Sequence, residues 1–570
     1  MAENNAVELI KRGDKRFSAR ASLDGMRHEI ALNFAPLLAR WTSEPMLGED
    51  YANHMVDGTP ALLARDFVSQ IGAMLRPPGK QWFWFRTSNE HVNSDVEARA
   101  YLDWRSQRLM RILNDRVTGF SAAVKQADEF FGLMGDAVLS VDMGNELDSL
   151  RIKNWHTANV TWAIGADNQV DTITRRERVA VRNVLRRFRQ KGDVIHPKLK
   201  ELAEKDGEAT VEIRHDVLPA DEYDAYIKGS SLKRKDGFAS VWIDVTNRCV
   251  IRETHQPTLR YVVPRWVTLT DCAYAISPAA TIALPDARLL QQQAAAILEA
   301  AEKQINPPLI AQGGGVISGN AVKLESSGIT WLDRSYDERM GEPVKPLELG
   351  KNFQLGIDNM MRTEGQLSRA FYLDKLRLPD TRNSKSTMEI QFLIDEYVRS
   401  ALPLFAPMQV EYNDGLLYEV DKLVQQFGGY EGREMPEILK AKPEFTFQWD
   451  NPLSDMMERQ KSQMVAEISQ IAQTVAALDA AAAQTPSLQQ IDTGKMFRET
   501  VMGLGAASWV LSQDEADERA EATSAAAQQQ QMLAAAPDIA RVIDSGVNAA
   551  ATAATIPSQG EPGFSLPMPV

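Results

Sequence analysis

Two cysteines, Cys249 and Cys272, in 570 residues leave no room for a disulfide framework or a cysteine-rich zinc module. A single bridge between them stays open, but two buried free thiols are the expectation. No apolar run approaches the ~20 residues that a membrane span needs. The longest candidate, Thr500 to Leu511, is short and carries two glycines. Met1 to Gly13 is polar and lacks the apolar core of a secretory signal. A soluble protein of a reducing compartment, with no membrane partner, is therefore expected. Positive charge is scarce too: 63 basic against 77 acidic residues give −14 and a pI near 5.2. Tight, non-specific nucleic-acid binding draws its affinity from Lys and Arg on phosphates, so that class is disfavoured. Passage of a polyanion without adhesion is not.

Catalytic signatures are missing as well. A phosphate-cradling GxxxxGK[ST] loop needs a glycine five positions before the glycine of a Gly-Lys pair. Before Gly79-Lys80, Gly350-Lys351 and Gly494-Lys495 that position holds Met74, Lys345 and Gln489. There is no HExxH and no GxSxG, and the seven histidines are scattered singly. Gly313-Gly314-Gly315 reads as a flexible loop. No catalytic residue, metal ligand or cofactor site is expected, and the chain is not read as an enzyme.

What is present is an α+β pattern that is predominantly helical. Arg27 to Trp41 and Thr59 to Met74 have helical apolar spacing, the second ending at Arg76-Pro77-Pro78-Gly79. Gln81 to Thr87 is an aromatic-rich strand. Asp95 to Phe131 is helical with an interruption near Gly119. Short strands are expected over 135–141, 160–175, 210–217, 240–243, 249–254 and 259–263, with a helix near Val179 to Gln190. Arg175 to Lys191 holds Arg175, Arg176, Arg178, Arg182, Arg186, Arg187, Arg189 and Lys191 against Glu177 alone. A nucleic-acid face is one reading; in so acidic a chain a solvated or intersubunit face pairing with acidic neighbours is favoured.

From Pro285 the character changes. Pro285 and Asp286 suit a helix N-terminus, and Leu290, Ala294, Ile297, Leu298, Ala301 and Ile305 share one face. Asn306-Pro307-Pro308 ends that helix. A Gly- and Pro-punctuated excursion with β-like runs at 321–324 and 329–332 follows. A second helix over about Asn352 to Tyr372 has the stripe Phe353, Ile357, Met360, Leu367 and Phe371. Gly356 and Gly365 each cost it about 1 kcal/mol relative to alanine, tolerable where close packing needs a bare backbone. Leu373 to Lys385 is a polar loop with Lys375, Arg377, Arg382 and Lys385. Ser386-Thr387-Met388-Glu389 has capping-box spacing and opens a helix that Pro403 and Pro407 kink or break. Phe445 to Trp449 is a strand. From Ser454 to about Ala540 the pattern is helical and rich in Ala, Gln and Met, suited to packing against copies of itself. After Ala550 a Pro/Gly/Ser tail is expected to be disordered.

Several segments in order resemble the portal (head-to-tail connector) proteins of short-tailed, podovirus-type bacteriophages. The likeness is carried by Ala283-Leu284-Pro285-Asp286-Ala287-Arg288-Leu289-Leu290, running to Asn306-Pro307-Pro308-Leu309, and by Met74 to Phe83 with its Pro-Pro-Gly-x-x-Trp-Phe. Phe131 to Leu139, Ser386 to Ile390, and Ile491-Asp492 followed by Gly503 to Ser508 and Asp514-Glu515 extend it collinearly over roughly residues 20 to 535. The chain departs from the family at Cys272 to Pro278, where relatives carry a Tyr-Gly-Arg-type stretch.

That resemblance implies a protomer with a wing (1–283), stem helices (284–306 and 351–372), a clip (307–350) and a tunnel loop (373–386). A wing return (387–453), crown and barrel helices (454–550) and the tail (551–570) complete it. It implies a homo-dodecameric ring at one capsid vertex, found in the virion and, during assembly, in the host cytoplasm. Double-stranded DNA would pass non-specifically, and the partners would be the large terminase subunit, a tail adaptor protein, and capsid and scaffolding proteins. Helices at ~10 Å spacing around twelve copies leave an opening of roughly 28 Å, wider than a DNA duplex. Twelve copies carry about −168, a field that discourages adhesion. Lys375, Arg377, Arg382 and Lys385 would form a sparse DNA-contacting collar. Trp331, Tyr336 and Arg339 would anchor partners on the clip, and a buried role for Trp331 stays open. The competing class is an oligomeric scaffold or adaptor that uses the Ala/Gln-rich C-terminal helices and handles no DNA.

Overall fold

The computed structural model describes residues 2–42, 52–53, 55–143, 150–190, 192–226, 236–313, 328–333, 344–346, 353–376, 408–440 and 445–449, with 396, 470, 473 and 474 besides. The chain divides into two units, Met1–Met457 and Glu458–Val570, and every element below belongs to the first. The expected β-run at 321–324, the helix opening at Ser386, and nearly all of the C-terminal helices and tail lie outside the described residues.

The polar N-terminus is itself a helix, α1 (Ala2–Ala19), followed by α2 (Ala21–Phe34). The helix expected over 27–41 thus starts earlier and stops earlier. Ala35 precedes Pro36 and takes φ −150°, as the clash with the proline ring requires, so Leu37 leaves the apolar stripe and is 67% exposed. Next come α3 (Thr59–Leu75), β1 (Phe83–Arg86), α4 (Glu90–Ser94), α5 (Val96–Leu113) and α6 (Phe120–Met134). Asp95 caps α5 by accepting from the Ala98 amide. Gly119, at φ +70°, makes the expected interruption before α6.

β2 (Leu139–Asp142) and β3 (Arg151–Asn154) lead into β4 (Val160–Ile164) and β5 (Val170–Ala180). After α7 (Val181–Arg187) and α8 (Pro197–Lys205) come β6 (Thr210–Pro219), α9 (Ala220–Tyr226), β7 (Phe238–Asp244), β8 (Cys249–Gln256) and β9 (Tyr261–Val262). Strands β4 to β8 form an antiparallel sheet in sequence order, and β3-β2-β9 a smaller one. The stretch expected as one strand over 160–175 is a hairpin. Cys249 and Cys272 are both free and only half-buried, less buried than expected.

Then follow α10 (Leu284–Ile305), β10 (Leu309–Gly313), β11 (Ile329–Asp333), β12 (Val344–Pro346), α11 (Phe353–Ala370) and α12 (Leu373–Leu376). A π-turn at Gln409–Asp414 opens α13 (Gly415–Gln426), and α14 (Glu437–Lys440) precedes β13 (Thr446–Trp449). β13 pairs antiparallel with β1, Phe447 opposite Phe85, so the chain returns to its own N-terminal third.

Two close-fitting features lock distant segments together. Gly135 follows α6 at φ +90°, and a Cβ there would stand 2.9 Å from the Ile276 carbonyl carbon and the Ser277 nitrogen; only glycine fits. Arg105 of α5 is 1% exposed in its side chain. It reaches both oxygens of Asp421 on α13, at 2.8 and 2.7 Å, and the Tyr430 hydroxyl donates to the same carboxylate at 2.6 Å. The rings of Phe85, Tyr430 and Phe445 surround the guanidinium at 4.3 to 4.8 Å. Asp421→Ala strands that charge in an apolar site, so denaturant titration should show a loss of about 3–5 kcal/mol. The double replacement Arg105→Met/Asp421→Leu should lose less than Asp421→Ala alone.

Candidate functional site

The elements that differ most from an ordinary packed domain are α10 and α11. Residues Ala279–Ala283 form a π-turn that runs directly into α10, whose Pro285 and Asp286 occupy the first turn as expected. Its 22 residues span about 33 Å. The root is fixed: Leu284, Ala287, Leu290 and Ala294 are buried. Gln291 accepts from the amides of Val56 and Asp57 at 2.7 and 2.9 Å and donates to the Asp57 carbonyl at 2.7 Å. Arg288 pairs with Glu29 of α2.

Beyond the root the same stripe is only partly covered. Leu298 and Ile305 follow Ala294 at steps of four and seven, yet are 60% and 78% exposed. Leu289, on roughly the opposite side of the helix, is exposed as well. α11 packs alongside α10, with Gly356 facing Ile297. Leu367 and Ala370 are buried, while Leu355 and Met361 are bare. Leu289, Leu355 and Met361 fall outside the 3.6-residue stripes and were missed; the signal was leucine and methionine on the flanks of a helix already supplied with a core face. Burial raises the Glu364 carboxyl on α11, helped by the nearby Asp57 charge. The exposed Glu299 is held low by its hydrogen bond from Lys303.

Between these helices β11, β10 and β12 make a three-stranded sheet, β10 lying parallel to β11 and antiparallel to β12. Trp331 sits in β11 opposite Ala311 of β10. Tyr336 and Arg339 lie outside the described residues. Of the four basic loop residues, Lys375 alone lies within them: it is exposed, on α12, with its ammonium 5.7 Å from the Tyr372 ring centroid. Arg377, Arg382 and Lys385 lie outside. Tyr372 takes φ +54°, a left-handed conformation that costs a non-glycine residue about 1 kcal/mol. Its neighbour Phe371 holds it there, wedged 5.2 Å from both Phe34 and Phe67.

The start of the basic segment 175–191 is consumed by structure, while Arg182, Arg186, Arg187 and Arg189 are exposed. Arg175 is buried on the Trp155 ring at 3.8 Å and pairs with Glu177. Arg176 stacks on Phe17 and donates to the Ala158 carbonyl. Arg187 pairs with Glu177, and Arg182 with Glu208. A cavity of about 920 Å³ opens between α3 and α6, rimmed by Pro77, Pro78, Lys80 and Trp82. Among the described residues no group of three or more His, Cys, Asp or Glu is placed to hold a metal ion. No described helix is long and apolar enough to cross a membrane.

A family model described as "Bacteriophage head to tail connecting protein" matches residues 7–511. The portal protein of Salmonella phage epsilon15 is 22% identical over 480 residues, 82% of this chain and 82% of that protein. Among solved structures, the neck of an empty gene transfer agent particle aligns at a TM-score of 0.35 and 11% identity, covering 76% of this chain and 94% of its own. The virion of a native gene transfer agent particle aligns at 0.32 and 10%, covering 77% and 94%.

The glycines of α11 are not demanded by packing. A Cβ at Gly356 would make ordinary contact with Ile297 at 3.5 Å, and one at Gly365 would meet nothing within 4 Å. Gly365→Ala is therefore expected to stabilise the unassembled chain by about 1 kcal/mol, read as a rise in Tm.

Proposed function

The chain belongs to the bacteriophage head-to-tail connecting protein family, and from that membership we propose that it assembles as a ring of twelve copies whose central hole conducts double-stranded DNA. The observation that carries the ring is the stem. Leu289, Leu298, Ile305, Leu355 and Met361 stand bare on α10 and α11, more apolar surface than one copy can cover and of the kind that marks an association site. Neighbouring copies on both sides would bury it. In this reading residues 1–283 are the wing, 284–306 and 351–372 the stem, 307–350 the clip and 373–386 the tunnel loop. Residues 387–453 return to the wing, and 454–550 form crown and barrel.

The ring sits at one vertex of the capsid in the virion, after assembly in the host cytoplasm, and joins the capsid and scaffolding proteins. The clip docks the large terminase subunit first and the tail adaptor later, with Trp331, Tyr336 and Arg339 as anchors. The channel acts by positioning and by weak electrostatics, not by catalysis. Lys375 stands at the end of the stem, where the loop begins, and with Arg377, Arg382 and Lys385 it supplies one ring of cations. Sparse phosphate contacts of that kind are sequence-blind and break readily.

Negative-stain microscopy of the purified chain should show rings with a central hole; monomers or filaments would favour the scaffold reading. Replacing Lys375, Arg377, Arg382 and Lys385 by alanine should leave the rings intact and lower genome packaging or retention, with an unchanged packaged-DNA yield counting against the collar. Deleting 311–349 should abolish terminase binding in a pull-down while the wing keeps its melting transition. Retained binding would move the docking surface elsewhere.

A further inference from the structure

The five-stranded sheet carries α1 on one face, and the seam between them buries charge. In its first half α1 presents Ala6 and Leu9 to Leu218, Ala239, Val241, Ile243 and Val250. Gly13 then lies so close to β5 that a Cβ there would meet Thr174 Cγ2 at 3.0 Å. Past that contact the seam turns polar. Arg16 donates to the Thr174 hydroxyl at 3.1 Å. Arg214 of β6 donates to the Ile10 carbonyl at 3.0 Å and to Asp14 at 2.6 Å. Arg12 stands 3.6 Å from Glu222 of α9.

Asp216 of β6 is enclosed in this seam, 3% exposed. Its register neighbours are Thr174 on β5 and Val241 on β7. Neither of its carboxylate oxygens has a hydrogen-bond partner in good geometry; the nearby Thr174 hydroxyl, which accepts from Arg16, is its one weak donor. A void of about 10 Å³ touches it, walled by Leu9, Arg12, Arg16, Thr172, Thr174 and Leu218, close to the least space that holds one water. One water cannot replace the hydration that an ionised carboxylate gives up on burial. A protonated carboxyl sheds the charge and gains a donor that a hydroxyl or that water can accept.

We propose that Asp216 is a proton-binding site that sets how tightly the N-terminal helix sits on the sheet. With the proton on, α1 docks firmly; with it lost to solvent, the seam holds a bare carboxylate and α1 loosens. Burial pushes the Asp216 carboxyl up to about 6, against the opposing pull of Thr174, Arg16, Arg214 and Arg12. Because that lies above the ~3.9 of a solvated aspartate, docking strengthens as pH falls through 6 and gains nothing further below about 4. Between pH 7.5 and pH 5 the linkage amounts to about tenfold in the docking equilibrium. Burial holds His156 at about 4, below that window, and pushes His215 well below its ordinary value. Asp414, also raised to about 6 by burial, belongs to the π-turn and not to this seam.

Hydrogen exchange of the full chain, followed by mass spectrometry on peptides from residues 2–19 and corrected for the intrinsic pH dependence of exchange, tests this directly. Protection of α1 is expected to be about tenfold higher at pH 5 than at pH 7.5, the rise setting in near pH 6 and continuing to about 4. In Asp216→Asn, neutral at both values, it is expected to be flat. Flat protection in the unaltered chain, or a pH dependence that survives in Asp216→Asn, overturns the assignment. Should Asp216→Asn not fold, Arg16→Met removes a charge that favours the carboxylate and should move the onset of the rise above pH 6; an unmoved onset overturns it equally.

Discussion

Six aromatic rings run in unbroken contact through the centre of the described unit, and the placement of everything else follows from them. Phe34 meets Phe371, Phe371 meets Phe67, Phe67 meets Trp266, Trp266 meets Phe131 and Phe131 meets Tyr412, each pair 5.2 to 5.7 Å apart. These residues come from α2, the end of α11, α3, the segment after β9, α6 and the π-turn. Segments more than 300 positions apart are thereby fixed to one another by burial, which has no direction of its own. Direction comes from the ion pair of Arg76 and Asp128 beside the last ring. Tyr412 donates to Asp128 at 2.7 Å, and Arg76 donates to Asn413 at 2.7 Å. Gly132 makes room for this arrangement, since a Cβ there would come within 3.2 Å of the Phe67 ring.

That core explains why the stem can be so sparsely supported. α10 is held only over its first three turns, and α11 only over its last two, where Leu367, Ala370 and Phe371 are buried. The free ends carry Leu298, Ile305 and Leu355 into solvent, and the β10–β12 sheet is carried on them. A helix pair anchored at one end has its position set by that end, and its bare far half is left to find contacts elsewhere. In a ring those contacts are other copies. The same anchoring places α12, and with it Lys375, directly against the aromatic core through Phe371 and Tyr372.

Much of this was legible in the sequence, and what was not has identifiable causes. The boundaries of α3, α6 and α10 were visible because proline and glycine act through local sterics, which neighbours in space do not alter. The hairpin over 160–180 was blurred because its turn, Gly165 to Gln169, breaks an otherwise strand-like run without a proline. α1 went unseen because its buried face is Ala6, Leu9, Gly13 and Arg16; small and charged residues give no apolar period, and only the sheet opposite makes that face a face. α2 was displaced by about two turns because Leu37 and Leu38 satisfy a helical pattern that Pro36 forbids. The bare flanks of the stem could be read from the spacing only by someone already asking what a second copy would need.

The count of positive charge also means something different once the arginines are located. Arg27, Arg76, Arg105, Arg175, Arg214 and Arg265 are all buried or nearly so and each faces a carboxylate. They tie elements together and are unavailable to a polyanion. The formal −14 therefore includes arginines paired off with carboxylates inside the protein, while others, among them Arg182, Arg186, Arg187 and Arg189, stay on the surface. For a conduit, pairing arginines off inside is the useful condition. Coulomb attraction between a phosphate and an exposed cation is weak and screened within about 8 Å at physiological salt. A wall with few such cations gives moving DNA shallow minima, whereas a basic wall would give it deep ones.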